Sequence, residues 1–452
     1  MPSSKETEGL VILGGGVSGL MAALETGAQV YEAEQFAGGA ASSDSSAGFV
    51  FDHGIHVLQT HNMALVNMLE DLGVEFRMID RSAHIYAFGK YTAYPFQINS
   101  TSLRLDRRLR CVAAFLRRGS NPEPANYADW IYRSIGRGFG DTFLIPYSEK
   151  FWGVHPRDMT FEWTGNRVPK AETWQVLRGA ILSRNTRVGT NATFRYPAGP
   201  GGYGTVADCL ARAVGSKLHT GQRATRIDIA AHKVTFEGGK TVDYRLLLST
   251  IPLPTLAEIV TEMPGPVRAA IASLRTNSIM VVNIGIDRAN LTDRHWIHFP
   301  EKDISFFRIS FPHNFASELV PPSMSSISAE VSYPPGSPPE PKALTQRVIE
   351  DLRRVGILRG NDVTVMSHTR DIPWGYCIFD ETRLKALPII MNWLATVDIV
   401  PAGRYGLWTY FWSDEAMMSG REAAWAAMEK LLGKGAQEEG APRPGALLSP
   451  GI

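Results

Sequence analysis

Hydrophobic and polar positions at the start of the chain describe a strand, a glycine-rich turn and a helix. The apolar run Leu10–Leu13 is followed by the glycine-rich residues 14–19 and then by the apolar run 20–24. A second apolar run, Gln29–Tyr31, ends at the acidic residue Glu32. This order predicts a β-α-β unit with two parallel strands and a short crossover helix.

The glycines of this turn have the G-x-G-x-x-G spacing of dinucleotide-binding sites. Gly14 permits the tight turn, Gly16 lets backbone N–H groups approach a pyrophosphate, and Gly19 lets the helix pack closely against the strand. The helix N-terminus, with Val17 and Ser18 in its first turn, faces the negative charge. The acid that ends the second strand is placed to accept hydrogen bonds from a ribose. It favours FAD or NAD over a cofactor with a 2′-phosphate.

Longer-range patterns divide the rest of the chain. Residues 100–190 carry apolar positions at helical spacing and predict a largely helical part. Residues 260–390 contain strand-like runs such as 279–286, and the Pro/Ser-rich stretch 332–339 predicts a loop. The aromatic residues within 408–412 suit either a core segment or a strand with one face toward a ligand.

Composition limits the classes of function. Among 452 residues, 46 are Lys or Arg and 45 are Asp or Glu, which gives a formal net charge of +1. This balance argues against a polyelectrolyte surface for nucleic acid, so a few local arginines must bind any anion. Scattered cysteines and histidines without ligand spacing predict no metal site. A polar N-terminus and the absence of a long apolar run predict a cytoplasmic protein without a membrane span.

Further motifs resemble the amine oxidase and protoporphyrinogen oxidase superfamily of flavoproteins. They are an acid-then-GG run at 32–41, a D-x-G-x-H stretch at 52–56, a glycine loop at 201–204, a strand at 223–227 and a glycine turn with an alanine-rich helix after 403. The resemblance implies FAD as cofactor and places the N-terminus of that last helix beside the flavin ring, where its dipole favours the reduced form. The implied FAD-binding residues are Gly14, Gly16, Val17, Ser18, Gly19, Glu32, Ala33, Gly38, Gly39, Ala40, His53, Gly54, Ala224, Gly403, Arg404, Ala416 and Met417.

Within the superfamily, four motifs resemble the UDP-galactopyranose mutase family. They are Y-x-x-K-x-W at 147–152, R-V-P at 167–169, F-R-I at 307–309 and G-R followed by a tyrosine at 403–410. The resemblance implies substrate binding by Trp152, Gln97, Arg308, Tyr376, Arg404 and Tyr410, and catalytic roles for Arg167, His56 and Gln59. Arginines supply the planar, bidentate donors that a diphosphate needs. The sequence therefore predicts a local anion-binding cleft.

Two departures from the mutase pattern leave the reaction open. Gln59 stands where the mutases have a second histidine, and residues 249–253 resemble the oxidases more than the mutases. One hypothesis is ring isomerisation of a nucleotide-diphosphate sugar, with reduced flavin as nucleophile and NAD(P)H as a candidate reductant. The alternatives are an FAD oxidoreductase acting on a small biosynthetic intermediate and a non-catalytic flavoprotein with a degenerate site.

Together these patterns predict an α/β fold in three parts. Residues 1–80, 195–255 and 395–435 form a discontinuous Rossmann-type FAD-binding domain, residues 81–194 a mostly helical insertion, and residues 256–394 a substrate-side antiparallel or mixed sheet. The Gly/Pro-rich residues 436–452 are expected to form a disordered tail. The expected partner is a small-molecule substrate.

Overall fold

Apolar runs form strands and amphipathic runs form helices along most of the chain. The computed structural model describes residues 8–120, 123–165, 167, 171–182 and 192–433. The strands are β1 (Leu10–Leu13), β2 (Gln29–Tyr31), β3 (Ser43–Ser46), β4 (Phe49–Asp52), β5 (Phe76–Asp80), β6 (Ala83–Ala87), β7 (Lys90–Ala93), β8 (Thr193–Pro197), β9 (Leu218–His219), β10 (Ala224–Asp228), β11 (Lys233–Phe236), β12 (Thr241–Asp243), β13 (Leu246–Ser249), β14 (Ser278–Ile286), β15 (Trp296–His298), β16 (Arg308–Ser310), β17 (Ser325–Tyr333), β18 (Thr364–Ile372) and β19 (Ile399–Pro401). The α-helices are α1 (Val17–Thr26), α2 (Met63–Asp71), α3 (Leu105–Leu116), α4 (Tyr127–Phe139), α5 (Ile145–Trp152), α6 (Thr173–Ile181), α7 (Gly204–Val214), α8 (Leu253–Ile259), α9 (Gly265–Ala272), α10 (Pro341–Arg354), α11 (Glu381–Thr396), α12 (Gly403–Gly406) and α13 (Ser413–Leu431).

A five-stranded parallel sheet collects short apolar strands from distant parts of the chain, in the order β19-β13-β1-β2-β9. All four residues of β1 are buried, and successive side chains point to opposite faces. Leu10 and Ile12 pack into the core that includes α1, α7 and α13, whereas Val11 and Leu13 pack into the core that includes α8, α9 and α11. Helices therefore cover both faces of the sheet, and the predicted β-α-β unit is confirmed.

A seven-stranded mixed sheet lies in the second part of the fold, in the order β18-β14-β17-β16-β15-β6-β7. Neighbouring strands are antiparallel except for the parallel pair β15 and β6. The predicted strand at 279–286 is confirmed as β14, whose nine residues are all buried. Residues 83–93, at the start of the expected, mostly helical insertion, form β6 and the edge strand β7 of this sheet. Alternating burial along β6 explains their strand conformation.

Helices α3 to α6 follow, as expected from their amphipathic pattern. Helix α4 leads through a π-helical stretch, Gly140–Leu144, directly into α5. Lys150 on α5 is enclosed by three backbone carbonyls and donates to the oxygens of Phe299, Glu301 and Phe306 at 3.0, 2.8 and 2.7 Å. The three N–H bonds of its ammonium group match these acceptors, so α5 is fixed to the loop between β15 and β16.

The aromatic segment 408–412 does not form a strand. It is a turn after α12, in which Trp408 has a φ of +49° and is fully buried. The loop predicted at 332–339 begins only after β17 ends at Tyr333. The predicted tail at 436–452 lies outside the described residues, and the division of the chain into three parts stays a prediction.

Candidate functional site

The glycine turn between β1 and α1 is built by close backbone approaches. The Gly14 N–H donates to the Tyr31 carbonyl at 2.8 Å, and the φ of Gly14 is +97°. A Cβ atom on Gly19 would lie 1.9 Å from the Gly14 oxygen. Only glycine permits this contact, which holds the helix start against the strand end.

The N-termini of α1 and α13 lie side by side. Ser18 Oγ donates to the Ala416 carbonyl at 2.7 Å, and a Cβ atom on Gly403 would lie 2.7 Å from Ser18 Oγ. Val17 and Met417 are buried in the same core. The first turn of α1 carries no acidic residue and no side-chain cap, so its N–H groups are available to an anion.

The Glu32 carboxylate is positioned by backbone N–H groups. It accepts from Gly15 at 2.6 Å and from Glu34 at 2.8 Å. Gly38 then donates its N–H to the Gly15 carbonyl at 2.8 Å, so the second glycine pair lies against the first turn. Gly221 and Gln222 donate to the carbonyls of Glu34 and Glu32, each at 2.7 Å. These bonds bring the start of β10 beside the end of β2.

The remaining predicted cofactor residues lie around this turn. Gly39 faces Gly16, because a Cβ atom on Gly39 would lie 3.4 Å from the Gly16 Cα. Ala40 follows in a short 3-10 helix, Gly39–Ala41. Ala33 directly follows Glu32, and Ala224 is the first residue of β10.

The buried carboxylate of Asp52, which was not among the predicted site residues, connects two of the sequence motifs. Asp52 accepts from Ser43 Oγ at 2.7 Å, from Tyr196 Oη at 2.7 Å and from the Tyr203 N–H at 2.8 Å. It therefore ties the D-x-G-x-H stretch to the glycine loop before α7. Burial outweighs these hydrogen bonds and raises the pKa of Asp52 to about 6. The D in the motif was visible in the sequence, but its partners were not.

The two histidines of this stretch have different environments. His53 is buried, and its Nε2 lies 3.1 Å from an Asp44 carboxylate oxygen. His56 has a buried Nδ1 atom without a hydrogen-bond partner among the described residues. Burial, followed by the positive charge of Arg404, lowers the pKa of His56 to about 3. His56 is therefore neutral at physiological pH.

Three aromatic side chains predicted to bind substrate are brought together. The ring centroids of Trp152, Tyr376 and Tyr410 are each 5.6 Å from the other two. The Arg404 guanidinium lies 5.7 Å from the Tyr376 ring and 5.6 Å from the Tyr410 ring. The Arg167 guanidinium lies 5.2 Å from the Tyr410 ring. This group is called the arginine–aromatic cluster below.

Carboxylates pair with Arg308 and Arg167, two of the three arginines that were predicted to form the anion-binding cleft. No sequence motif marks these pairings. Arg308 donates from Nε and Nη2 to Glu330 at 2.7 and 3.0 Å. Burial would lower the pKa of Arg308, but the Glu330 carboxylate outweighs it and raises that pKa above its ordinary value. Arg167 donates from Nη2 to both Glu415 oxygens at 2.8 and 2.6 Å. The predicted anion-binding cleft is therefore less positive than three free guanidinium groups would make it.

Arg404 differs from the other two arginines. Its Nε donates to the Phe411 carbonyl at 3.0 Å, and its Nη2 donates to the same oxygen. Within the part of the chain that the structure describes, no carboxylate forms an ion pair with Arg404. Its charge is held near two phenol rings, and no described carboxylate balances it.

Gly54 lies at the junction of the histidine stretch and the ion pair. A Cβ atom on Gly54 would lie 3.0 Å from Glu330 Oε1, and the next N–H, that of Ile55, donates to this oxygen at 2.9 Å. Glu330 therefore connects the predicted flavin-side residues to Arg308.

A further polar pair lies near Arg308. His298 Nδ1 lies 3.0 Å from Tyr147 Oη, and the Tyr94 ring lies 5.6 Å from the His298 ring. Burial, followed by the charge of Arg308, lowers the pKa of His298 well below its ordinary value. Tyr147 belongs to a motif already noted, whereas no sequence signal identified His298.

A cavity of about 780 Å³ lies on the outer side of the cluster. Gln59, Arg167, Tyr410 and Glu415 are among its lining residues. Gln59 therefore lies near the predicted site. Gln97 is buried beside the cis Tyr94–Pro95 bond and does not line this cavity.

The N-terminus of α13 carries its own negative charge. Asp414 and Glu415 lie in its first turn, and Glu415 accepts from the Trp412 N–H at 2.7 Å. These carboxylates oppose the positive end of the helix dipole. The expected dipole effect on a reduced flavin is therefore weaker than an uncharged helix start would give.

The described residues fit FAD. The open first turn of α1 suits a pyrophosphate, and the Glu32 carboxylate at the end of β2 suits a ribose. A Cβ atom on Gly16 would meet nothing nearer than the Gly38 oxygen at 3.9 Å, so this side of the turn is open.

Comparison with known proteins assigns the family. Residues 17–428 match the family of flavin-containing amine oxidoreductases. The chain belongs to this family. Reduced UDP-galactopyranose mutase is similar with a TM-score of 0.89 and 27% identity, covering 98% of this chain and 96% of that one. The family match and the similarity to the reduced mutase structure together identify FAD as the cofactor of this amine oxidoreductase-family protein.

More distant members share the fold. A protein from Exiguobacterium sp. 255-15 assigned as a protoporphyrinogen oxidase has a TM-score of 0.71 and 15% identity, with 93% of this chain and 98% of that chain covered. Cyclohexylamine oxidase from Brevibacterium oxydans has a TM-score of 0.63 and 16% identity, with 94% and 99% covered. Among the helices that the structure describes, none is both long and apolar enough to cross a bilayer.

Proposed function

We propose that this flavoenzyme isomerises the sugar ring of a nucleotide-diphosphate sugar. The observation that carries the proposal is Arg404, a guanidinium group held between Tyr376 and Tyr410 without a carboxylate partner among the described residues. A diphosphate supplies the anion that this group lacks. The similarity to a structure of reduced UDP-galactopyranose mutase supports the same substrate class.

The chain's own residues divide the work of binding. The glycine turn, Glu32 and the start of α13 would hold FAD. When bound, reduced FAD supplies a nucleophile, whereas oxidised FAD accepts a hydride. Arg167, Arg308 and Arg404 would contact the diphosphate, and the ring of Trp152 would pack against the sugar. Removing water from this aromatic pocket strengthens every charge interaction inside it.

His56 and Gln59 then act by position rather than by proton transfer. Burial lowers the pKa of His56 to about 3, so it carries no exchangeable charge near neutral pH. The carboxamide of Gln59 does not ionise and offers hydrogen bonds only. In this proposal Gln59 orients the substrate at the cavity, where the mutases have a histidine.

The oxidoreductase alternative depends on residues 249–253, whose sequence resembles the oxidases. In the structure this segment lies against the glycine turn, where Thr250 Oγ1 is 3.1 Å from the Leu13 carbonyl and 3.2 Å from the Gly14 carbonyl. The Ala402 N–H also donates to the Ser249 carbonyl at 2.9 Å, so the same segment supports the backbone that carries Arg404. The isomerase is the favoured proposal because the arginines and aromatic side chains of the cluster suit a diphosphate.

The redox state of the flavin separates the two reactions. Protein reduced with dithionite is incubated with UDP-, GDP-, TDP- and CDP-sugars, and the ring form of the product is determined by chromatography. The isomerase should give product only when reduced and without net oxidation of the flavin. Substrate consumption by the oxidised protein, with anaerobic bleaching of the flavin, would show an oxidoreductase instead.

Replacement of Glu415 should strengthen nucleoside diphosphate binding. The Glu415 carboxylate competes with phosphate for Arg167, so Glu415→Gln should increase UDP affinity by about three- to tenfold, because more of the arginine is free to bind. Isothermal titration of the reduced protein measures this change.

Glu422 provides the matched control for that experiment. It lines the same cavity but forms no ion pair with Arg167, so Glu422→Gln removes the same charge without releasing the arginine. An equal gain in both variants would mean that total charge, and not competition for Arg167, controls affinity. In an Arg167→Gln background the Glu415→Gln gain should disappear.

A further inference from the structure

Helix α6 presents apolar side chains to solvent. The exposed fractions of Trp174 and Ile181 are 58% and 78%, and Leu177 is exposed between them. Its opposite face is fixed, because Val176 is fully buried and a Cβ atom on Gly179 would lie 2.0 Å from the Ile98 oxygen. The apolar face therefore points outward while the helix is firmly packed.

Helix α3, which contacts α6, carries a second group of exposed apolar side chains. Leu105, Leu109 and Leu116 are exposed, whereas Cys111 and Phe115 on the other face are buried. We call the exposed faces of α3 and α6 the apolar–basic surface. Its apolar residues are Leu105, Leu109, Leu116, Trp174, Leu177 and Ile181. An exposed apolar group of this extent marks an interaction site.

The same surface has a strong local positive charge. Residues 104–118 contain six arginines and a single acidic residue, Asp106, although the whole chain has a formal charge of only +1. Arg178 on α6 adds to them, and the Arg107 guanidinium lies 3.7 Å from the centroid of the exposed Phe88 ring. The partner must therefore combine negative charge with an apolar layer.

The exposed apolar side chains and the positive charge together indicate which kind of partner fits this surface. A second copy docked symmetrically would bring arginines of like charge together. A nucleic acid would match the arginines but would leave the leucine and isoleucine side chains without a favourable contact. An anionic bilayer has phosphate groups above an acyl layer and matches both features.

We propose that the apolar–basic surface binds the headgroup region of a bilayer rich in anionic lipid. The side chains of Trp174, Leu177 and Ile181 enter the boundary between headgroups and acyl chains, and the arginines contact lipid phosphates. The chain lies on the membrane and does not cross it. This inference is independent of the proposed reaction, because it uses neither the flavin nor the arginine–aromatic cluster.

Vesicle co-sedimentation of the full-length, FAD-loaded protein tests the proposal. Vesicles of phosphatidylcholine containing a third phosphatidylglycerol should bind the protein, and vesicles of phosphatidylcholine alone should bind it much more weakly. Trp174→Ser/Ile181→Ser should reduce binding at least tenfold. Arg107→Gln/Arg110→Gln/Arg178→Gln should reduce it by about a hundredfold, or about fivefold for each arginine.

Matched substitutions elsewhere on the surface control for general charge and hydrophobicity. Trp425→Ser removes another exposed tryptophan, and Arg245→Gln/Arg353→Gln/Arg359→Gln removes three other exposed arginines. Both should leave vesicle binding unchanged. Circular dichroism and flavin absorbance establish that each variant is folded and loaded.

Three results would overturn the proposal. Light scattering coupled to size exclusion could show a dimer that Trp174→Ser/Ile181→Ser converts to a monomer, with no vesicle binding by either form. Single-stranded RNA could bind with the same arginine dependence while anionic vesicles do not. Equal binding of all variants to anionic vesicles would show that this surface is not the lipid-binding site.

Discussion

Arg404→Gln is expected to weaken the binding of UDP by about a hundredfold, equivalent to ~3 kcal/mol. A guanidinium bound to a phosphate forms charge-assisted hydrogen bonds, which are about twice as strong as neutral ones. No described carboxylate pairs with Arg404, so its replacement leaves no buried counter-charge stranded. Isothermal titration of UDP into the reduced holoenzyme measures the loss.

A second measurement distinguishes lost charge from lost structure. After burial, the positive charge of Arg404 is the next cause of the low pKa of His56. Arg404→Gln should therefore raise the pKa of His56, which NMR titration of the imidazole detects. A misfolded variant would shift many histidine signals together.

Two further variants complete the experiment. Arg404→Lys keeps the charge but loses the planar fork, so UDP affinity should fall by an intermediate amount and the pKa of His56 should stay low. Arg353→Gln, at an exposed position on α10, should leave both quantities unchanged. Unchanged UDP affinity in Arg404→Gln would remove the main support for a nucleotide-diphosphate substrate.

Arg308→Ala gives a less direct answer for a structural reason. Glu330 is buried and forms a bidentate pair with Arg308, so the alanine variant would leave a carboxylate without its partner. Removing one member of a buried pair costs several kcal/mol by itself. A loss of UDP affinity in this variant would combine that cost with the loss of a phosphate contact.

The sequence predicted local features well because their causes are local. The glycine turn, β1, β2 and the acid at position 32 depend on residues within one β-α-β unit. Confirmation of β14 as a strand has the same basis, because its nine successive buried residues are mostly apolar and rich in Val and Ile. Spacing and periodicity are sufficient for such elements.

Long-range charge compensation could not be predicted in the same way. Glu330 is 22 residues from Arg308 in sequence, and Glu415 is 248 residues from Arg167. Neither acid stands in a motif that marks it as a partner. For the aromatic segment 408–412, the strand was one of two alternatives, and the structure shows a turn instead. The positive φ of Trp408 interrupts an alternation that otherwise suits a strand.

Buried neutral histidines should make stability depend strongly on pH. Burial is the largest cause that lowers the pKa of His56 to about 3 and that of His313 to about 4, and it lowers the pKa of His298 well below its ordinary value. In the unfolded chain each histidine binds a proton near pH 6.5. Between pH 6.5 and about 4 the unfolded chain therefore binds more protons, and the free energy of unfolding falls as the pH falls.

Asp52 acts in the opposite direction within part of this range. Its folded pKa of about 6 exceeds the ordinary aspartate value, so the native state binds an additional proton at pH 5. The histidine protons outnumber this aspartate proton, so the unfolding free energy should fall by roughly 1–3 kcal/mol per pH unit near pH 5. Urea unfolding at several pH values and one fixed, saturating FAD concentration measures this slope.

His313→Asn separates the histidine contribution from general acid effects. His313 lies outside the arginine–aromatic cluster, with its Nε2 buried and without a partner among the described residues. Its replacement should lower the slope by about one proton, or ~1.4 kcal/mol per pH unit. An unfolding free energy that stays constant between pH 7 and pH 5 would contradict the assignment of neutral histidines at the site, including His56.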